Sequence, residues 1–116
     1  MLARAICQDT DLIILDEPTS YLDMFYKLDL MKTIHGLAKS GKAILMSLHE
    51  LDLVKMISDE IVCVNENRII KKGSVDEIFS GDFIQQLYGI KSSEFDNERA
   101  AINLDCVRDW NGSEAV

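Results

Sequence analysis

The chain has 116 residues, enough for one modest domain that buries roughly 70% of its unfolded surface, and 47% of them are apolar, which is globular composition and not that of a disordered chain. Twelve basic against twenty acidic residues leave a net charge of −8, which speaks against a nucleic-acid or anionic-lipid binder. No apolar run approaches 18 residues, and no basic segment followed by an apolar core opens the chain, so the sequence reads as neither membrane-spanning nor exported.

Residues 1–8 read as the end of a helix already under way, because a helix start would more often carry a cap. Asp9-Thr10-Asp11 then turns into Leu12-Ile13-Ile14-Leu15. Four consecutive branched apolar side chains are too uniform for a surface strand and too few for an ordinary helix, so the segment is expected to be a strand buried on both faces. Asp16 and Glu17 follow at its carboxyl end, the edge at which open α/β sheets bind ligands. Pro18 stops ladder pairing and forces a turn.

Neighbouring residues of an extended segment point in opposite directions, so Asp16 and Glu17 would divide labour instead of sharing one ligand. One can hold a hard cation such as Mg2+, directly or through its water, and the other can accept a proton from an attacking water. The plainer alternative is that the pair ends a strand and places negative charge before the next helix.

After Asp23 a helix runs to about Lys39, with Leu30, Ile34, Leu37 and Ala38 at i, i+4, i+7 and i+8, widened by Leu28 and Met31. Gly41 stops it. Lys42 to Leu48 is a second strand, parallel to the first because the crossover is long enough. His35 reads as a partly exposed helix residue. Gly36 to Ala43 has the G-x-x-x-x-G-K spacing of a phosphate-binding loop, but it lies between a helix and a strand, the reverse of the order such a loop needs to aim helix amides at phosphates, and it is rejected.

Glu50 to Ser58 reads as a short helix carrying Leu51, Val54 and Ile57. Ile61-Val62-Cys63-Val64, the turn Asn65-Glu66-Asn67 and Arg68-Ile69-Ile70-Lys71 form a hairpin. Ser74 and Glu77 make a capping box for a helical turn through Phe79, and Ser80-Gly81-Asp82 opens a helix with Phe83, Ile84, Leu87 and Tyr88. From Ser92 onward six acidic residues face Arg99 and Arg108, while Phe95, Ile102, Leu104, Val107 and Trp110 suggest an extension that packs on the body; a solvated acidic tail is the alternative. Cys7, Cys63 and Cys106 are odd in number and far apart, and read as reduced, buried thiols, not metal ligands.

Leu12 to Asp23 resembles the Walker B strand, catalytic glutamate and D-loop of an ATP-binding cassette (ABC) ATPase, with Ser20-Tyr21-Leu22-Asp23 in the D-loop position. Leu2-Ala3-Arg4-Ala5 is similar to the helix after the family's signature motif, and Ile44 to Glu50 to its switch strand and histidine. Gly73 to Ile78 and Phe83 to Ile90 resemble the ATPase subunits of importers for iron-siderophores, haem and cobalamin. The resemblance covers about residues 1–90 and leaves 91–116 as an acidic extension.

It implies an α/β fold, part of a P-loop NTPase core: three parallel strands with crossover helices, an added hairpin edge and carboxyl-terminal helices. By the same resemblance Asp16 holds Mg2+ through water, Glu17 polarises the attacking water and His49 bonds the γ-phosphate of ATP. Ser20 and Asp23, in the D-loop, are implied to be nucleotide-binding with Asp16, and Asp23 to act across the interface with a second ATPase subunit, linking two ATP sites. The implied partners are transmembrane permease subunits, with no nucleic acid, and the implied location is cytoplasmic, peripheral on the inner face of the plasma membrane.

The sequence departs from the family in having no true phosphate-binding loop, no signature glycine loop before Leu2 and no glutamine loop or helical subdomain, and Met1 stands where the family has an interior residue. The expectation is therefore the carboxyl-terminal half of a cassette, inactive alone, with apolar sheet surface exposed and a tendency to self-associate. A non-transport ABC ATPase acting on ribosomes or DNA, or a non-catalytic scaffold remnant, would share the same central motif.

Overall fold

The structure, a computed structural model, describes residues 2–90 and 94–102. The chain forms two compact units that divide after Glu50.

In the first unit, helix α1 (Leu2–Cys7) leads into strand β1 (Leu12–Leu15), helix α2 (Met24–Lys39) crosses over, and strand β2 (Ala43–Met46) returns parallel to β1. The register pairs Leu12 with Ala43, Ile13 with Ile44, Ile14 with Leu45 and Leu15 with Met46. Asp23 caps α2, its carboxylate accepting the Tyr26 amide at 3.1 Å, and Met31 and Ile34 are the residues that α2 buries. Leu30 and Leu37 flank them half-buried, so the stripe centres one residue away from the Leu28 and Ala38 borders, both exposed. Gly41 follows with φ 104, a conformation that suits glycine where the chain reverses from helix to strand. Lys42, the lysine of the rejected phosphate-loop spacing, donates instead to Asp9 Oδ1 at 3.0 Å and the Thr10 carbonyl at 2.9 Å, which fastens β2's entry to β1's.

Two expectations are corrected here. Among the described residues the parallel sheet has two strands, not three: the third apolar strand forms the expected hairpin with the segment after it and pairs with neither strand of the parallel sheet. And β1 is buried on one face only: Ile13 and Leu15 are 3% and 1% exposed, whereas Leu12 and Ile14 are 49% and 65% exposed. Their cross-strand neighbour Leu45 is 58% exposed, so one whole face of the parallel pair is open and apolar. The uniform apolar run is suited to cover on both faces, and in this chain one face lacks it.

In the second unit, helix α3 (Leu51–Ile57) precedes strands β3 (Glu60–Asn65) and β4 (Arg68–Ser74), which pair antiparallel. Glu66 and Asn67 both have positive φ, 49° and 63°, the two-residue hairpin geometry whose twist matches the strands. Ser74 caps helix α4 (Val75–Ile78) by accepting the Glu77 amide at 3.3 Å, as the capping box predicts. Helix α5 (Phe83–Tyr88) ends at Gly89 in the left-handed region. A short antiparallel pair, β5 (Phe95–Asp96) with β6 (Ala101–Ile102), completes it.

Ile61, Ile78, Phe79, Ile84, Phe95 and Ala100 form this unit's core, with Leu51, Val54, Cys63, Val75 and Phe83 packed against it. Phe95 and Ala100 thus belong to a core, as a packed extension requires, while Leu104, Val107 and Trp110 lie outside the described residues. The Lys55 ammonium donates to the Asn97 and Glu98 carbonyls at 2.5 Å each and lies 5.7 Å from the Phe79 ring centre, tying α3 to the turn between β5 and β6.

Cys7 is exposed and Cys63 half-buried, both as free thiols; Cys106 lies outside the described residues. Burial of Cys7 is thus corrected: it ends a short helix on which Ala3, Arg4 and Ile6 are exposed as well. Burial pushes the Cys63 thiol above its ordinary range, against a smaller downward pull from the Lys71 charge.

Candidate active site

The chemistry gathers where β1 and β2 end side by side. The ladder extends one bond beyond the strands, the Ser47 amide donating to the Leu15 carbonyl at 3.1 Å, and this places Ser47 beside the two carboxylates. Its hydroxyl donates to Asp16 Oδ1 at 2.7 Å and accepts the Glu17 amide at 2.8 Å. One hydroxyl can do both, having one hydrogen to give and two lone pairs.

Glu17 adopts φ 44, in the left-handed region that a non-glycine residue seldom occupies. The strict alternation expected of Asp16 and Glu17 therefore applies only up to Leu15, where the strand ends. From this turned backbone the Glu17 side chain meets His49, with Nε2 2.5 Å from Oε1. A carboxylate without a proton can only accept, so with Glu17 in that form the donor in this contact is Nε2. The Ser20 hydroxyl lies 3.5 Å from Glu17 Oε2, and the Ser20 amide donates to the Glu17 carbonyl at 3.1 Å. A second turn bond, Leu22 amide to Thr19 carbonyl at 3.2 Å, makes residues 17–22 a run of tight turns.

Asp16, Glu17, Ser20 and His49 are thus brought together, all exposed. Asp23 is engaged differently: its carboxylate serves as the α2 cap. Asp16 keeps one carboxylate oxygen uncommitted among the described residues and faces solvent. That is a fitting donor for Mg2+, which keeps several waters and is otherwise held by substrate phosphates. Among the described residues no group of three or more His, Cys, Asp or Glu forms a closed metal cage.

The residues that sequence reasoning passed over are those that hold the pair and the imidazole in place. Ser47 stands two residues before the histidine, inside the stretch that resembles the switch strand but with no role of its own there; only the register shows that it continues the ladder opposite Leu15. Thr19 is 1% exposed, an unusual burial for a hydroxyl directly after a proline. The Thr19 hydroxyl, and after it the Lys27 ammonium 3.3 Å from Oε2, draw Glu50 below its ordinary range against the opposing effect of burial. The ion pair ties Glu50, the neighbour of His49, to α2.

An exposed carboxylate pair and an imidazole thus meet at adjoining carboxyl ends of a parallel pair, the edge at which open α/β sheets bind ligands. Several known proteins are similar to this chain. The petrobactin import ATP-binding protein YclP of Bacillus subtilis is 34% identical over 104 residues, 87% of this chain and 41% of that protein. The iron(3+)-hydroxamate import ATP-binding protein FhuC of Bacillus subtilis is 33% identical over 90 residues, 77% of this chain and 34% of that one. The solved inward-facing structure of a metal-chelate type ABC transporter matches with a TM-score of 0.69 at 25% identity, over 76% of this chain and 35% of that one. No protein-family model matches the sequence.

The chain is homologous to part of the ATP-binding subunits of ABC transporters. It spans between a third and about two fifths of the length of those curated relatives. Among the described residues no helix is long and apolar enough to cross a membrane.

Proposed function

We propose that this chain supplies the hydrolytic edge of an ATP-driven importer cassette for an iron-siderophore, haem or cobalamin, and that it does not hydrolyse ATP by itself. The observation that carries the proposal is the 2.5 Å contact between His49 Nε2 and Glu17 Oε1 at the mouths of two parallel strands. In the assembled cassette Glu17 is the general base for the attacking water, His49 bonds the γ-phosphate, and Asp16 holds Mg2+ through water. When bound, Mg2+ neutralises charge on the phosphates. Residues 1–90 form the cassette part and 91–116 an acidic extension.

Ser20 and Asp23 belong to the loop that meets a second ATPase subunit. Support for an interface comes from Tyr21, Met24 and Phe25, all exposed around Asp23, more large apolar surface than one turn ordinarily leaves in water. Transmembrane permease subunits are the remaining partners, nucleic acid is not one, and the assembly lies at the cytoplasmic face of the plasma membrane.

The test combines the chain with the segment of the petrobactin-import relative that precedes the matched region. The expected outcome is MgATP hydrolysis by the mixture, none by either part, and no micromolar MgATP binding to this chain alone in calorimetry. Micromolar binding or turnover by the chain alone would overturn the proposal.

A further inference from the structure

We infer that Ser47 is a positioning residue for both carboxylates, setting where the general base and the cation ligand point; the inference rests on the function just proposed. Three bonds at the end of β2 converge on three consecutive residues at the end of β1. The Ser47 amide donates to the Leu15 carbonyl at 3.1 Å, its hydroxyl donates to Asp16 Oδ1 at 2.7 Å, and the same hydroxyl accepts the Glu17 amide at 2.8 Å.

The last of these bonds has a particular consequence. With φ 44, Glu17 is in a conformation that is unfavourable for an L-residue, so something must compensate it. Its amide can no longer join the ladder, and the Ser47 hydroxyl is the acceptor it finds. The turned backbone is also what brings the Glu17 side chain to His49. Without the hydroxyl, Glu17 is free to return to an extended conformation, in which neighbouring side chains alternate and the contact with His49 is lost.

The bond to Asp16 acts on the second carboxylate. By occupying Oδ1 it fixes the side-chain rotamer and leaves the other oxygen for a water of the cation. Because Ser47, Asp16 and Glu17 are all exposed, water competes for each of these bonds and their net worth to folding is small. Their effect is on orientation, to which phosphoryl transfer is sensitive.

The experiment compares Ser47→Thr, which keeps the hydroxyl, with Ser47→Val, which has the shape of the Thr variant with a methyl in place of its hydroxyl, and with the smaller Ser47→Ala. Amide hydrogen exchange at Glu17 is followed by NMR in the full chain. Exchange should match the parent in the Thr variant and rise roughly tenfold in the Val and Ala variants, as loss of one net hydrogen bond requires. In the reconstituted cassette, Val and Ala should lower kcat by roughly tenfold or more with KM for MgATP little changed, and Thr should restore it.

Equal Glu17 exchange in the Thr, Val and Ala variants would overturn the role of Ser47, and so would a cassette whose kcat is the same in all three. The exchange measurement needs no nucleotide. A cassette inactive even with Ser47 in place would therefore count against the ATPase function and leave the exchange result to decide the role of Ser47.

Discussion

The two units spend their apolar residues in opposite ways. Unit two, from Leu51 onward, encloses Ile61, Ile78, Phe79, Ile84, Phe95 and Ala100 in a core of its own and, among its described residues, carries no cluster of chemistry-bearing side chains. Unit one, up to Glu50, carries the carboxylate pair, the imidazole and the hydroxyls, and leaves Leu12, Ile14 and Leu45 open on one face of its sheet. A segment that closes its own core buries those side chains without another surface. One that presents an apolar face beside its reactive groups is built to be completed by another surface.

That contrast can be broken in several places. The largest effect is expected in unit one: Glu17→Gln in the reconstituted cassette should lower turnover roughly 10²- to 10⁴-fold, the usual worth of a general base, measured by phosphate release. Unaltered turnover would take the general-base role from Glu17.

Truncation of the closed core comes next. Phe79→Ala should destabilise unit two by about 3–5 kcal/mol in denaturant unfolding, because Phe79 is buried among Ile78, Ile84 and Phe95. Ile14→Lys should behave in the contrary manner, costing little stability while suppressing self-association by sedimentation, since Ile14 lies on the open face. If Ile14→Lys unfolds the chain as Phe79→Ala does, the open face is covered in solution and the contrast between units fails.

Asp23→Ala should cost about 1 kcal/mol through loss of the α2 cap, read as a lower melting temperature. Were Asp23 to act only across a subunit interface, stability would be unchanged and only turnover would fall.

The smallest effect concerns acid. Glu50 is held below its ordinary carboxylate range in the folded chain, chiefly by the Thr19 hydroxyl and then by Lys27, so it binds a proton less readily folded than unfolded. Its contribution is complete above the ordinary range and disappears as pH falls through the lowered folded value. Glu50→Gln should therefore remove part of the loss of stability seen below pH about 4.5, measured by melting against pH.

Much of unit two was legible because its signals are local. The capping box at Ser74 and Glu77 works through backbone amides three residues away, and the turn at Asn65-Glu66-Asn67 needs only neighbouring strands to register itself. The same locality explains the strand count. β3 finds its partner a few residues on in β4, whereas an apolar run by itself cannot say which strand it will join.

In unit one the order strand, carboxylates, turn, helix, strand, histidine was readable, because hydrophobic period and chain punctuation are properties of the residues themselves. Whether the run Leu12 to Leu15 is covered on one face or two was not, since that depends on what else packs against it.

The sequence by itself determined that Asp16, Glu17 and His49 leave adjoining strand ends, because apolar runs of that length, linked by a crossover of that length, have few other arrangements. Only the tertiary structure decided that Glu17 turns left-handed, that the Ser47 hydroxyl joins the Asp16 carboxylate to the Glu17 amide, and that Asp23 caps α2. These depend on register and on hydrogen-bond distances between residues some thirty positions apart in the chain, for example Glu17 with Ser47 at 2.8 Å, and no local pattern encodes such a distance.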